Sequence, residues 1–125
     1  MLNMRSVFAA AAASALLALS ATAAANPPVT KSGDILVNQA GMTLYTFDKD
    51  PDGKSVCNAQ CAALWPPVAA GADARPAGAY SIVTRDDGSK QWAYRGKPLY
   101  LWVKDQKPGD RTGDGVGGIW RLAKE

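Results

Sequence analysis

Apolar and polar residues alternate through two stretches of the chain, "DILVNQAGMTLYTF" (34–47) and "KQWAYRGKPLYLWV" (90–103), each interrupted near its middle by a glycine, Gly41 or Gly96. Glycine supplies the positive φ that a tight hairpin needs, so each stretch reads as a β-hairpin. Within the returning strands, period-2 alternation puts Tyr45 with Phe47, and Tyr100 with Trp102, on one face. Leu44, Leu99, Leu101 and Val103 point the other way, a pattern suited to burial on both sides. "YSIVT" (80–84) and "IWRLA" (119–123) predict two more strands. Only "CNAQCAALW" looks helical, for about two turns before Pro66 and Pro67 stop it. The segments "DPDG", "WPPVAAGADARPAG" and "KPGDRTGDGVGG" are Pro- and Gly-rich loops.

The hairpins belong to a longer repetition. Displaced by 55 positions without gaps, the chain aligns Gly33 with Gly88, Gly41 with Gly96, Leu44 with Leu99, Tyr45 with Tyr100, Lys49 with Lys104, Asp50 with Asp105 and Trp65 with Trp120. Phe47 meets Trp102. So many identities point to internal duplication, with units at about 33–68 and 88–123. The expected fold is mainly β, a small barrel- or sandwich-like domain of two duplicated hairpin units with one short disulfide-pinned helix.

Composition adds the compartment. Residues 1–25 hold one cation, Arg5, an apolar run and a small-residue end at Ala23 to Ala25, the pattern of a signal peptide cleaved before Asn26. The run is too short and Ala-rich for a membrane span, and no cysteine stands at the cleavage point to carry lipid. Residues 26–125 then form a single exported domain, periplasmic or extracellular. With Arg5 set aside, 13 of the 14 basic residues face 11 acidic ones and form no basic run, which argues against nucleic acid as a partner. No membrane span is expected in the mature protein. Both cysteines, Cys57 and Cys61, lie in the exported part, so a disulfide between them is expected.

Histidine is absent and the sole glutamate is Glu125. That removes the commonest general base and metal ligand and leaves no paired glutamates, so an enzyme is not expected, nor a cofactor. Asp48, Asp50, Asp52 and Gly53 do reproduce the opening of a calcium loop, but its twelfth position is Ala59 where a bidentate Glu belongs. The plainer reading has Asp50 and Asp105 accepting backbone N–H groups at turns, with Asp48 and Asp52 solvated. Cys57 and Cys61 are spaced C-x-x-x-C rather than the C-x-x-C of thiol oxidoreductases, which favours a staple. The repeated aromatics Tyr45, Phe47, Tyr100, Trp102, Trp65 and Trp120 suit a core. Trp92 and Tyr94, aligned with Val37 and Gln39, are the better surface aromatics for a ligand contact, but core or cross-strand packing is the favoured reading of both.

The Y-x-[FWY]-x-x-D phrase twice over, with C-x-x-x-C-x-x-x-W-P-P after the first copy and P-G-D-x-x-G-D-G-V-G-G-x-W after the second, resembles a bacterial secreted-repeat family, the predicted lipoproteins with a Yx(FWY)xxD motif. The resemblance implies an exported protein and a duplicated architecture, without a reaction. Two departures stand out: the lipid-bearing Cys is missing, and Arg121 follows the last Trp where relatives often carry His. The function expected is non-catalytic binding or structural support in the envelope, through an unknown envelope ligand or protein. The alternative is redox or metal handling through Cys57 and Cys61 or the Asp48–Asp52 loop.

Overall fold

The computed structural model describes residues 26–125; the expected signal peptide, residues 1–25, lies outside the described residues. Seven short strands and one helix follow in order: β1 (Val29–Ser32), β2 (Ile35–Asn38), β3 (Tyr45–Phe47), α1 (Gln60–Leu64), β4 (Tyr80–Thr84), β5 (Lys90–Tyr94), β6 (Lys97–Pro98) and β7 (Trp120–Leu122), with a 3-10 turn at Val116–Gly118 before the last. Three antiparallel sheets result, β1-β2, β3-β7 and β4-β5-β6, and they do not close into a barrel. The protein is mainly β, as its alternation predicts.

Both hairpins form, but with turns of different length. Tyr94 pairs with Lys97 across a two-residue turn in which Arg95 and Gly96 have φ of 51° and 83°. Such a pair of positive angles matches the right-handed twist of the flanking strands. In the first hairpin Val37 pairs with Thr43, and the loop holds one residue more, with Gly41 at φ 84°. Leu36 therefore takes the place that Trp92 has in the other half. Leu44 N–H donates to the Leu36 carbonyl, and Leu99 N–H to that of Trp92. Before the turns the gapless alignment is thus one residue out of step.

Each unit also begins one strand earlier than its first repeated glycine. β1 pairs with β2 along Val29↔Asn38 to Ser32↔Ile35, and β4 pairs with β5 in the same way. "YSIVT" is the counterpart of "VTKS", whose polar, mostly exposed residues carry no alternation to announce a strand.

The two-sided returning strands divide the interior in two. Leu36, Leu44, Val68, Trp92, Tyr94, Leu99 and Ala123 fill one core. Tyr45, Cys57, Trp65, Tyr100 and Trp120 fill the other, backed by Phe47, Cys61, Trp102, Val116, Ile119 and Leu122. Between them the chain crosses itself: Tyr45 N–H donates to the Tyr100 carbonyl at 2.8 Å and Tyr100 N–H returns to Tyr45 at 2.9 Å. An approximate two-fold axis runs through this point, since the backbone bonds that join the two units here come in exchanged pairs. Asp48 N–H donates to Ile119 and Val103 N–H to Leu64; Ala123 N–H donates to Leu44 and Val68 N–H to Leu99.

Candidate functional site

The residues that define the repeat meet at this axis, and they meet across it. Tyr45 donates its hydroxyl to Asp105 Oδ2 at 2.6 Å, and Tyr100 donates to Asp50 Oδ2 at 2.6 Å. Each unit's tyrosine is bound by the other unit's aspartate. The second oxygen of each carboxylate holds its own loop: Asp50 Oδ1 accepts Val56 N–H at 2.7 Å, and Asp105 Oδ1 accepts the N–H and the hydroxyl of Thr112 at 2.9 and 2.6 Å. Both tyrosines are wholly buried. Burial first, and then the neighbouring carboxylate, raises the pKa of each hydroxyl, so both stay neutral donors. Burial likewise pushes the Asp50 carboxyl up, against the downward pull of its bonds to Tyr100 and Val56.

Above the tyrosines lies a four-ring stack in the order Phe47, Trp120, Trp65, Trp102. The centroid separations are 4.3, 3.7 and 3.9 Å, and the central pair is inclined by only 3°. Tyr45 meets Trp65 edge-on at 5.3 Å, and Tyr100 meets Trp120 edge-on at 5.2 Å. All six repeated aromatics are therefore structural partners of one another: the edge-on contacts join residues of one unit, and the stacked contacts cross the axis. Stacked and edge-to-face contacts of this kind add about 0.5–1.5 kcal/mol each beyond the area they bury.

The halves differ in what lies behind each tyrosine. Gly113 N–H donates to Tyr45 Oη at 3.1 Å. A Cβ at Gly113 would lie 2.8 Å from Trp65 and 2.9 Å from the Tyr45 ring, so close approach, not a special φ, demands glycine here. Behind Tyr100 stands Ser55, 2.6 Å away, and behind Ser55 the buried Arg85, which donates to Ser55 Oγ at 2.9 Å, to Gln91 Oε1 at 2.7 Å and to the Cys57 carbonyl at 2.6 Å. Because the Tyr100 hydroxyl is committed to Asp50, Ser55 donates to Tyr100. The charge of the buried Arg85 thus reaches that of the half-buried Asp50 through two hydroxyls, an ion pair separated by a relay. Sequence reasoning missed Arg85. The signal was its spacing, two residues after buried Val83 and so on the same face of the strand.

Cys57 and Cys61 are joined by a disulfide over the N-terminal end of α1. Cys57 is fully buried and Cys61 partly so. The turn between them, closed by Cys61 N–H donating to Asn58, places Ala59 at φ 53° and ψ −120°. Those are the angles of the first central residue of a type II′ turn, where glycine is at home and a Cβ is strained.

The other candidates are scattered. Asp48 accepts Arg121 Nε on both oxygens, at 2.8 and 2.9 Å. Asp52 is exposed at the foot of the loop, and Asp50 has both oxygens engaged as above. The three do not converge, and among the described residues no group of three or more His, Cys, Asp or Glu is placed to hold one metal ion. Trp92, for which a surface ligand contact is the less favoured of two readings, has no exposed area and packs in the core with Leu36, Leu44 and Leu99. Its true counterpart is the equally buried Leu36, which the one-residue difference in turn length concealed. Tyr94, at 9% exposure, keeps a foothold on the surface. It packs against Tyr80 at 5.0 Å, lies under the Arg95 guanidinium at 5.2 Å, and borders two clefts, of about 240 and 500 Å3.

A family model described as a secreted repeat of unknown function matches residues 29–69 and 81–124. The chain belongs to that secreted-repeat family. The two matched segments each open at or beside the strand that precedes the first repeated glycine, β1 or β4, and close just past the stacked tryptophan. No curated protein and no solved structure is detectably similar to the chain. Membership in the secreted-repeat family accords with an exported protein, and among the described residues no helix is long and apolar enough to cross a membrane.

Proposed function

We propose that this secreted-repeat protein is a non-catalytic component of the cell envelope, periplasmic or extracellular, acting by binding or structural support. One observation carries the reading: the polar atoms of the repeated Tyr and Asp are all engaged, with one another or with the neighbouring loop. Both oxygens of Asp50 and of Asp105 accept hydrogen bonds, and both tyrosine hydroxyls donate. A carboxylate so engaged has little freedom to act as a general base or to leave its partners for a metal. The motif is a clamp between halves, and recognition falls to the surface the clamp holds in place. Sedimentation of the mature protein with isolated envelope fragments tests this. Depletion from the supernatant is expected, undiminished in Tyr45→Phe below its melting temperature. Protein that stays in solution at envelope excess, or turnover of a compound that Tyr45→Phe abolishes without unfolding, defeats it.

A redox role for Cys57 and Cys61 has one observation in its favour, the strained Ala59 between them, because strain gathers at working sites. Equilibration with glutathione buffers discriminates: a potential well above about −300 mV favours exchange, and one below favours a staple.

A further inference from the structure

An internal duplication supplies its own control. Where the halves agree, the residue serves the frame; where they diverge in chemistry, something other than the frame has shaped one of them. The sharpest divergence lies at the smaller cleft beside Tyr94. Its charged residues are Asp48, Lys97, Arg121 and Lys124. Their counterparts 55 positions away are Val103, Met42, Pro66 and Ala69, none of which carries a charge. The backbone geometry is shared, since Thr46 pairs with Arg121 in one half while Leu101 N–H donates to Pro66 in the other. Charge has therefore been placed on one face only of a symmetric scaffold.

The charge is also unbalanced. Three cations face one carboxylate, and Asp48 is taken by Arg121. Lys97 and Lys124 have no carboxylate within salt-bridge distance among the described residues. The rest of the lining includes Leu122, Ala123 and Tyr94, which give the cleft an apolar part beside its cations. Tyr94 also lines the larger cleft, with Tyr80, Lys31 and Glu125. An occupant of the smaller cleft has apolar faces and carries negative charge where it meets Lys97 and Lys124. Strands β3 and β7 already pair with each other, so the smaller cleft presents side chains and not a free main-chain edge of the kind an extended peptide adds to.

We infer that the cleft formed by Thr46, Tyr94, Lys97, Arg121 and Lys124 binds an acidic oligosaccharide, whose anionic substituents lie against the lysines and whose apolar C–H groups lie along the part of the lining that Tyr94, Leu122 and Ala123 leave open. Sugar rings offer the apolar C–H faces that such walls accept, and carboxylate or phosphate substituents supply the complementary charge. This deepens the binding role proposed above and rests on it.

Trigalacturonate serves as the carboxylate probe, a glycosyl phosphate oligomer as the phosphate probe, and galactotriose and tetra-aspartate as the neutral and peptide controls. In 15N spectra of the mature protein, either anionic sugar is expected to shift amides at Thr46, Tyr94, Lys97 and Lys124, with affinity falling at least tenfold in Lys97→Gln/Lys124→Gln and with added salt. Which of the two binds tighter identifies the anion. Both lysines are exposed, so the variant is expected to melt with the wild type. The inference is overturned by no shifts, by shifts elsewhere, by galactotriose binding as well as the acidic sugars, or by tetra-aspartate binding better. Should the double variant still sediment with envelope fragments as the wild type does, the binding role stands and this site falls.

Discussion

Removing one oxygen atom tests the exchange at the two-fold axis. In Tyr45→Phe the ring keeps its edge contact with Trp65, but Asp105 loses the hydroxyl donated at 2.6 Å and Gly113 N–H loses its acceptor at 3.1 Å. A hydrogen bond to a charged group contributes about 1.5–3 kcal/mol, and an orphaned buried donor costs about 1–3 kcal/mol. The two terms overlap, because Thr112 still holds the other oxygen of Asp105, so the expected loss is about 3 kcal/mol. Urea denaturation followed by tryptophan fluorescence reads it, and in a domain of this size the melting temperature should fall by on the order of 15 °C.

The stronger form of the test is a pair of double-mutant cycles. Tyr45→Phe with Asp105→Ala should show a coupling of about 1.5–3 kcal/mol, whereas Tyr45→Phe with Asp50→Ala should be additive to within about 0.5 kcal/mol. Sequence proximity alone argues the reverse, since Asp50 lies five residues from Tyr45 and Asp105 lies sixty away. Coupling between Tyr45 and Asp50, or a Tyr45→Phe protein as stable as the wild type, refutes the exchanged clamp.

Gly113→Ala drives a methyl group to 2.8 Å from Trp65, and should cost about 1–3 kcal/mol in urea denaturation despite the small change in volume. Ala59→Gly removes the strain at φ 53° and should raise stability by about 1 kcal/mol, read as a higher urea midpoint at unchanged m-value. Arg85→Met should cost about 3 kcal/mol by leaving the Gln91 side chain and the Cys57 carbonyl without their donor, and Asp50 without its relayed cation. At alkaline pH the sign follows from the raised tyrosine pKa values. The folded state keeps the protons of Tyr45 and Tyr100 while the unfolded chain releases them near pH 10, so their stabilisation is complete below about pH 10 and fades above it, by about 1.4 kcal/mol per pH unit for each. Denaturation between pH 9 and 11.5 should show Tyr45→Phe falling less steeply than the wild type by that amount.

Much of this arrangement was legible before any coordinates. Alternation with a central glycine announces both hairpins, and the C-x-x-x-C spacing in an exported chain announces the disulfide. The opposed faces of Leu44 and Tyr45 announce two cores. What stayed hidden depends on distance through space rather than along the chain. Alignment of the repeats shows that Tyr45 equals Tyr100 and Asp50 equals Asp105, but equivalence is silent about whether a tyrosine binds its own unit's aspartate or the other's. Only the crossing of the chain at Tyr45 and Tyr100 decides that. Trp92 is a surface candidate at all only because alignment sets it against Val37: one extra residue in the Gly41 loop shifts the register of everything before it, and a slip of one residue turns a strand's faces over. Arg85, in "TRDDG", has the composition of a solvated turn; its burial follows from the polar acceptors of Ser55, Cys57 and Gln91, which come from two other segments.

The exchange of partners also says what a single unit can do. Separated from its sibling, the first repeat would keep Tyr45 without Asp105, Asp50 without Tyr100, and Trp65 without the ring that covers it at 3.7 Å. Its sheet would lose as well, because β3 pairs with β7 and, at Tyr45, with Tyr100, all from the other unit. A 40-residue segment in that condition buries too little apolar surface to offset the ordering of its own chain. The second repeat stands no better, since β7 loses β3 in return. A duplication whose halves complete one another in this way behaves as a dimer fused into one chain, so the motif is maintained in both copies by the needs of the interface. The surface positions are released from that demand, and the charge at Lys97, Arg121 and Lys124 has no counterpart across the axis for the same reason that Tyr45 and Asp50 have theirs.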